Sequence, residues 1–303
     1  KSASDSLWPV TDFLADHAYN VLRYRGYSEE NIRYLSPEIP QDADGDGAAD
    51  DVDLESTLAN AAQTFTNWAH GTGRLFVYLV DHGGDSSGAG YFRLNGSEVI
   101  TAAQLDAWLD QLQDEHNTDV TVLIDCCYAG SFLDELTYGG TAKRVVIAAC
   151  GAGEPTYFVA GGMVSFSDSF FSGVLLGYDA DRSWQQAKAA MSAYQSAGLY
   201  ENVVGSTADL YLGANFVTGK DVPQIGLVCG NQIVSGGMVA RLWADDIASA
   251  YPLDRVWCLV VPPQHDPDPA NPVADLPELQ LVYNDAAGRY EAEYGGFDVQ
   301  GTY

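Results

Sequence analysis

The sequence predicts an α/β domain, with helices on both faces of a mostly parallel sheet, followed by a small all-β sandwich of the immunoglobulin-like kind. Three observations predict this. Helix-period and strand-like segments alternate over residues 1–216, the pattern of a parallel sheet with crossover helices. The longer strand runs in that part are continuously apolar, as strands covered on both faces are. Over residues 217–303 the texture changes to short strand-like runs between turns, with a loop rich in proline and aspartate at 262–277. That change reads as a second, all-β domain.

The elements follow in order. Residues 10–24 form a first helix, with Phe13, Leu14, His17 and Val21 on one face. A short strand at 32–35 comes next. A second helix at 54–68 carries Leu58, Ala61, Ala62, Phe65 and Trp68 at helical spacing. Residues 75–80 (LFVYLV) read as a buried strand. Thr101-Ala102-Ala103-Gln104 has the form of a capping box and opens a helix with Leu105, Trp108, Leu109 and Leu112 on one stripe. Buried strands at 120–124 and 144–149 and helices at 166–178 and 183–196 complete the domain. In the β part, residues 255–261 (RVWCLVV) are the strongest strand run.

Charge narrows the partners. The chain has 303 residues, 42 of them acidic against 14 Lys and Arg, for a net charge of −28. Nucleic acid and anionic membrane surfaces are poor partners for such a surface, whereas basic ligands are steered towards it. A halophilic setting produces the same charge, so acidity alone names no substrate. No run reaches the ~18–20 apolar residues of a membrane helix, and no signal peptide opens the sequence. The cysteines at 126, 127, 150, 229 and 258 lack the spacing of a zinc site. Cys229 and Cys258 suit either a disulfide in a secreted protein or two separate buried thiols.

Two of the buried strands end in reactive residues. Residues 75–80 run into Asp81-His82-Gly83-Gly84, and 120–124 run into Asp125-Cys126-Cys127-Tyr128-Ala129-Gly130-Ser131. Open parallel sheets bind ligands beyond the C-terminal ends of their strands. If the two strands are neighbours, an imidazole and a thiol meet there, the pairing nucleophilic catalysis needs. Taken singly, a strand-end cysteine is more often an inert core residue. The joint pattern, with glycines that admit close backbone approach, favours chemistry. Spacing does not choose between Cys126 and Cys127.

With these two motifs the sequence resembles the caspase-like cysteine peptidases, the group of caspases, metacaspases, clostripain, gingipains and legumain. Over residues 8–215 its texture (NIRYLS, LFVYLVDHGG, VTVLIDCCYAGSF) is most similar to bacterial legumain-like sequences. The resemblance implies a three-layer α/β/α sandwich and a cysteine endopeptidase working through an acyl-enzyme. Laid on this chain, the motif register makes Cys127 the nucleophile and His82 the proton carrier, puts Cys126 in the core, and makes the N–H groups of Gly83 and Cys127 the oxyanion hole. The aspartate two positions before the nucleophile, Asp125, implies an S1 pocket that prefers Arg or Lys. Legumain carries glutamate there and also directly after its cysteine, where this chain has Tyr128. The loop 151–158 corresponds to another wall of S1, making Glu154 and Ser165 further substrate-binding candidates.

A second pattern is Asp42-Ala43-Asp44-Gly45-Asp46-Gly47-Ala48-Ala49-Asp50-Asp51-Val52-Asp53. Asp42, Asp44, Asp46, Asp50 and Asp53 stand at calcium-loop positions, with glycine at the sixth and the carbonyl of Ala48 available at the seventh. Crowded carboxylates repel one another without a cation, so a structural Ca²⁺ is expected. His17 sits on an apolar helix face, His70 and His116 at helix C-termini where a cation is favoured, and His265 in the proline-rich loop. No organic cofactor motif is present.

Caspase-like folds start with a buried strand before the first helix. This chain opens directly on the helix and ends at Tyr303 within a strand-rich region. The expectation is a processed piece of a longer zymogen, with an N-terminal peptide that stays associated. Three functions fit: a secreted or cell-surface prokaryotic peptidase with peptide or protein substrates, an asparagine-specific peptidase or ligase on the same scaffold, and an inactive calcium-stabilised adhesion module.

Overall fold

The computed structural model describes residues 2, 4–213, 223–235, 237–249, 252–263, 265 and 272–303. The chain divides into two compact units, Lys1–Val217 with Asp268–Val273, and Thr218–Pro267 with Ala274–Tyr303.

The first unit opens with α1 (Trp8–Tyr24), which carries Pro9 in its first turn and buries Val10, Leu14, Ala18 and Val21 on one stripe. β1 (Leu35–Ser36) pairs in parallel with β2 (Leu54–Glu55). The strand expected at 32–35 is shorter because side chains claim its start. Asp53 accepts the Tyr34 N–H at 2.8 Å and pairs with Arg33 at 2.9 Å. α2 (Leu58–Gln63) is capped by Thr57 and runs on as a π-turn over Thr64–Trp68.

β3 (Arg74–Val80) then enters the sheet. β4 (Gly83–Ser86), β5 (Ala89–Arg93) and β6 (Val99–Thr101) form a separate antiparallel meander. The capping box at Thr101 and Gln104 forms as the sequence predicts and starts α3 (Ala102–His116), which ends on Asn117 in the left-handed conformation, φ 53°. β7 (Asp119–Asp125) and β8 (Arg144–Ala148) continue the sheet, and β9 (Phe158–Val159) is a two-residue strand outside it. α4 (Phe166–Leu175), α5 (Ala180–Ala190) and β10 (Gly198–Glu201) close the unit. Asp179 caps α5, so that helix starts earlier than residue 183.

The main sheet has the order β10-β8-β7-β3, with β3, β7 and β8 parallel and β10 antiparallel. Its strands alternate between two cores. Val77, Val120, Val122, Ile124 and Val146 pack on Phe65, Leu105, Leu109 and Leu112. Leu123, Val145 and Ile147 pack on Ala18, Val21, Phe170, Phe171 and Ala187 of the opposite layer. Truncating a fully buried leucine such as Leu109 to alanine in such a core costs about 2–5 kcal/mol. Phe158 lies with Leu7, Val10 and Leu14 in a third cluster, against Val80 and Val273.

The second unit is all antiparallel. β11 (Gln224–Val228), β12 (Ala240–Ala248), β13 (Val256–Leu259), β15 (Glu278–Asn284) and β16 (Arg289–Tyr294) form one five-stranded sheet, in the order β11-β12-β16-β15-β13; β14 (Val273–Ala274) lies outside it. Ala244, Val256 and Leu281 centre its core. Cys229 and Cys258 are both free thiols. Among the described residues no helix is long and apolar enough to cross a membrane.

Candidate active site

The register of β3 on β7 builds the site. Val80 is level with Asp125, so two residues beyond each strand, His82 and Cys127 leave the same end of the sheet in step. Gly83 closes the distance. A Cβ placed on it would lie 2.3 Å from Cys126 Sγ and 2.7 Å from the Cys127 carbonyl oxygen, so only glycine fits there. The chain turns sharply after the cysteine. Tyr128 takes a left-handed conformation, φ 61° and ψ 24°, which is uncommon for a bulky residue and characteristic of functional sites. Its N–H donates to the Glu154 carbonyl and its carbonyl accepts from Ser131 N, both at 2.9 Å, and the Ser131 hydroxyl donates to the same carbonyl at 2.7 Å. Among the described residues the Cys127 N–H donates to no oxygen acceptor.

The three N-terminal cysteines separate by environment. Cys126 is wholly buried in the core under α3, as expected, and burial pushes its thiol well above the ordinary range. Cys150 is buried too and donates to the Cys126 carbonyl at 3.2 Å. Cys127 retains slight exposure. Burial raises its thiol, while hydrogen bonding from the Thr156 backbone pulls the other way.

His82 has a partner that the sequence did not reveal. Its Nε2 lies 2.9 Å from Asp5 Oδ1, and the same oxygen accepts the Leu7 N–H at 2.9 Å. The Asp5 side chain is 9% exposed and that of His82 28%. Asp5 stands 77 positions before His82 and belongs to no recognisable motif, so only the packing of the segment before α1 discloses it.

The predicted substrate residues all accept hydrogen bonds from within the protein. Asp125 is 0% exposed. Its Oδ1 accepts from Thr156 Oγ1 at 2.7 Å, and its Oδ2 accepts from Ser167 Oγ at 2.6 Å and Ser167 N at 3.1 Å. Burial raises this carboxyl, and the donors from Ser167 and Thr156 oppose the shift. Glu154 accepts the Gly151 N–H at 2.7 Å and ties its own loop. Ser165 is buried and caps α4 by accepting the Asp168 N–H at 3.1 Å.

The acidic loop folds on its own backbone. Asp42 accepts from the N–H groups of Gly45 and Gly47 at 2.8 and 2.9 Å. Asp44 accepts from Asp46 N at 3.0 Å and Asp46 from Ala48 N at 2.7 Å. The structure brings Asp42, Asp44 and Asp51 together, their ligand atoms within 4.8 Å of one another. Asp53 is held by Arg33 and Tyr34 and is not in that group, while Asp50 is exposed. Asp51, absent from the expected set, stands in that group, its carboxylate turned in to accept Ala43 N at 2.7 Å. The loop docks on α1 through Asn20, which donates to the Ala43 carbonyl at 2.7 Å.

A cavity of about 660 Å³ is lined by neither His82 nor Cys127. It runs along β3, between Ala18, Tyr19 and Leu22 on one side and Phe65 and Trp68 on the other. β3 is the end strand of the sheet, so the cavity flanks its open edge.

Residues 69–200 match the model of the Peptidase C13 family. No curated protein matches the chain. Among solved structures, the Drosophila initiator caspase Dronc aligns at 10% identity with a TM-score of 0.36, covering 48% of this chain and 62% of that one. The family match spans the strand that leads to His82, the strand that leads to Cys127 and the meander between them, and over those residues the chain is similar to the cysteine peptidases of that family.

Proposed function

We propose that this chain is a cysteine endopeptidase in which Cys127 is the nucleophile, His82 the proton carrier and Asp5 the residue that orients His82. The observation that carries the reading is the pairing of Val80 with Asp125, which sets the imidazole and the thiol at one end of the sheet. With Nε2–H donated to Asp5, the neutral imidazole keeps Nδ1 as its acceptor nitrogen. The Cys127 thiol gives its proton to that nitrogen as sulfur attacks the scissile carbonyl carbon. The N–H groups of Gly83 and Cys127 stabilise the resulting oxyanion. Collapse of the tetrahedral intermediate passes the proton to the leaving amine, and water then releases the acyl group from sulfur.

Arg or Lys at P1 is the preferred specificity, supported by the acid excess, which draws cations in, and by Asp125 beneath the nucleophile. Thr156 and Ser167 occupy that carboxylate, so a P1 cation reaches it only if one hydroxyl rotates away. The match to the C13 family favours a second reading, asparagine at P1 with an amine able to replace water. A peptide library profiled at P1, with and without an added amine acceptor, separates the two. Failure of Cys127 to react with an acyloxymethyl ketone probe would sink both and leave the inactive adhesion module.

We also propose a structural Ca²⁺ in the acidic loop. Hard carboxylate oxygens suit it, and Asp42, Asp44 and Asp51 converge, with Asp46 and the Ala48 carbonyl on the same loop. Extracellular calcium concentrations suit such a site, in keeping with a secreted or cell-surface prokaryotic protein. The cavity beside the open edge of β3 suits an associated peptide in extended conformation, left by processing of a zymogen. Mass spectrometry of protein purified from its source would reveal that peptide.

A further inference from the structure

The far end of the sheet from Cys127 holds a second group of ligating side chains. β3 begins at Arg74 and β7 at Asp119, and the two are in register. The segments that lead into them are clamped together: Thr118 Oγ1 donates to the Thr72 carbonyl at 2.6 Å and Asp119 N to the Gly73 carbonyl at 3.1 Å. His70 and His116, each a few residues upstream of its strand, are thereby brought face to face, with ring centroids 3.9 Å apart at an interplanar angle of 67°.

Ligand atoms of His70, Glu115 and His116 lie within 4.8 Å of one another. His116 Nε2 is buried and has no hydrogen-bond partner; Glu115 Oε2, the nearest carboxylate oxygen, is 3.7 Å away. Gln111 donates to the other Glu115 oxygen at 3.1 Å, which leaves Oε2 directed at the imidazole. An enclosed imidazole nitrogen without a partner costs free energy that a coordinate bond would recover. Two imidazoles and a carboxylate are the donor set of zinc rather than of calcium. Around a tetrahedral ion with ligands at ~2.0–2.1 Å, donor atoms sit closer than 4.8 Å, and His70 and Glu115 are exposed and able to close the difference by rotamer changes.

We propose that His70, Glu115 and His116 form a site for a late first-row divalent cation, zinc being the probe, which ties the C-terminus of α3 to the turn before β3. Water completes the coordination, so the site is a staple and not a second active centre. It rests on none of the catalytic assignments.

The test uses untagged full-length Cys127→Ala protein in excess calcium, so that neither the dyad thiol nor the acidic loop competes. Cobalt chloride is titrated and followed by visible absorption, and zinc affinity is measured by competition with a chromogenic chelator. The expected result is one equivalent bound, with affinity falling at least about tenfold in His70→Ala and again in His116→Ala, and unchanged in His265→Ala. Zinc raises the melting temperature of the parent protein and not of the His70→Ala/His116→Ala double variant. Binding of equal stoichiometry and affinity in the parent and the double variant, or no binding by the parent below about 100 µM, overturns the proposal.

Discussion

Replacing Asp5 with alanine is the sharpest test of the proton-carrier geometry, because nothing but the fold connects this residue with His82. The Asp5–His82 bond is 2.9 Å long and mostly sheltered. As the thiol proton moves to the imidazole, a bond between the carboxylate and a neutral imidazole becomes one between the carboxylate and an imidazolium, and strengthens. A hydrogen bond to a charged group contributes about 1.5–3 kcal/mol, and each 1.36 kcal/mol is a factor of ten in rate. Asp5→Ala is therefore expected to lower kcat by about 10- to 150-fold and leave KM within about twofold, since Asp5 acts through His82 and not on the substrate. Asp5→Asn still accepts the Leu7 N–H but carries no charge, so its loss should fall between wild type and alanine. Steady-state hydrolysis of a fluorogenic peptide gives the split, and thermal melts verify the fold. A folded Asp5→Ala protein with unchanged kcat would refute the reasoning, and so would a loss carried wholly by KM.

The two adjacent cysteines should separate cleanly: Cys127→Ala abolishes hydrolysis and probe labelling, while Cys126→Ala retains both and loses about 1 kcal/mol of stability from a small core cavity, as read by denaturant melts. Gly83→Ala drives a methyl group against Cys126 Sγ and the Cys127 carbonyl, and a loss of about 10²-fold in kcat is expected even on the Cys126→Ala background, where the second clash remains. Since burial raises the Cys127 thiol, its alkylation by iodoacetamide should keep climbing above pH ~8.5, the ordinary thiol value; a plateau reached below pH ~7 would instead reveal a preformed thiolate–imidazolium pair. Burial, aided by Asp12, Asp51 and Asp42, pushes Asp16 up to about 6 while its Tyr34 hydrogen bond resists. A folded-state value above the unfolded ~3.9 means that stability falls as pH rises from about 4 to 6. Asp16→Asn should consequently raise the melting temperature at pH 7.5 in chelator, with a smaller gain in calcium and almost none at pH 4. A gain indifferent to calcium would separate Asp16 from the loop.

What could be read in the sequence was what repeats along it. Continuous apolar runs marked β3, β7 and β8, and the Thr101–Gln104 capping box located the start of α3 to the residue. The two strand-end motifs marked His82 and the Cys126–Cys127 pair because parallel strands deliver their C-terminal residues to one place, and only the resemblance to caspase-like peptidases singled out Cys127. Contacts between segments that share no period were not readable. Asp5 reaches His82 only through the packing of residues 4–7 ahead of α1. The strand expected at 32–35 yielded because Asp53 claims the Tyr34 N–H and the Arg33 guanidinium, and the same two bonds remove Asp53 from the acidic loop. A spacing rule identifies which carboxylates are near in sequence, but backbone turns decide which of them converge, and here Asp51 turns inward instead.

Asp125 shows why position in a motif and role in a site are separate questions. A carboxylate wholly out of water, with both oxygens bonded by Thr156 and Ser167, is held by interactions whose loss is expensive. Removing the acceptor would leave both Ser167 donors unpaired, each costing about 1–3 kcal/mol, and Thr156 Oγ1 with only a long bond to Gln195 Oε1 at 3.4 Å. Asp125→Ala would thus damage the fold whatever its part in specificity, and a loss of activity in it would prove nothing about P1. Ser167→Ala is the informative variant. It removes one donor to Oδ2, retains the backbone N–H at 3.1 Å and frees charge beneath the nucleophile. If Asp125 reads a P1 cation, kcat/KM for Arg and Lys substrates should rise relative to Asn substrates; an unchanged ratio would leave Asp125 as a support for the 156–167 segment alone.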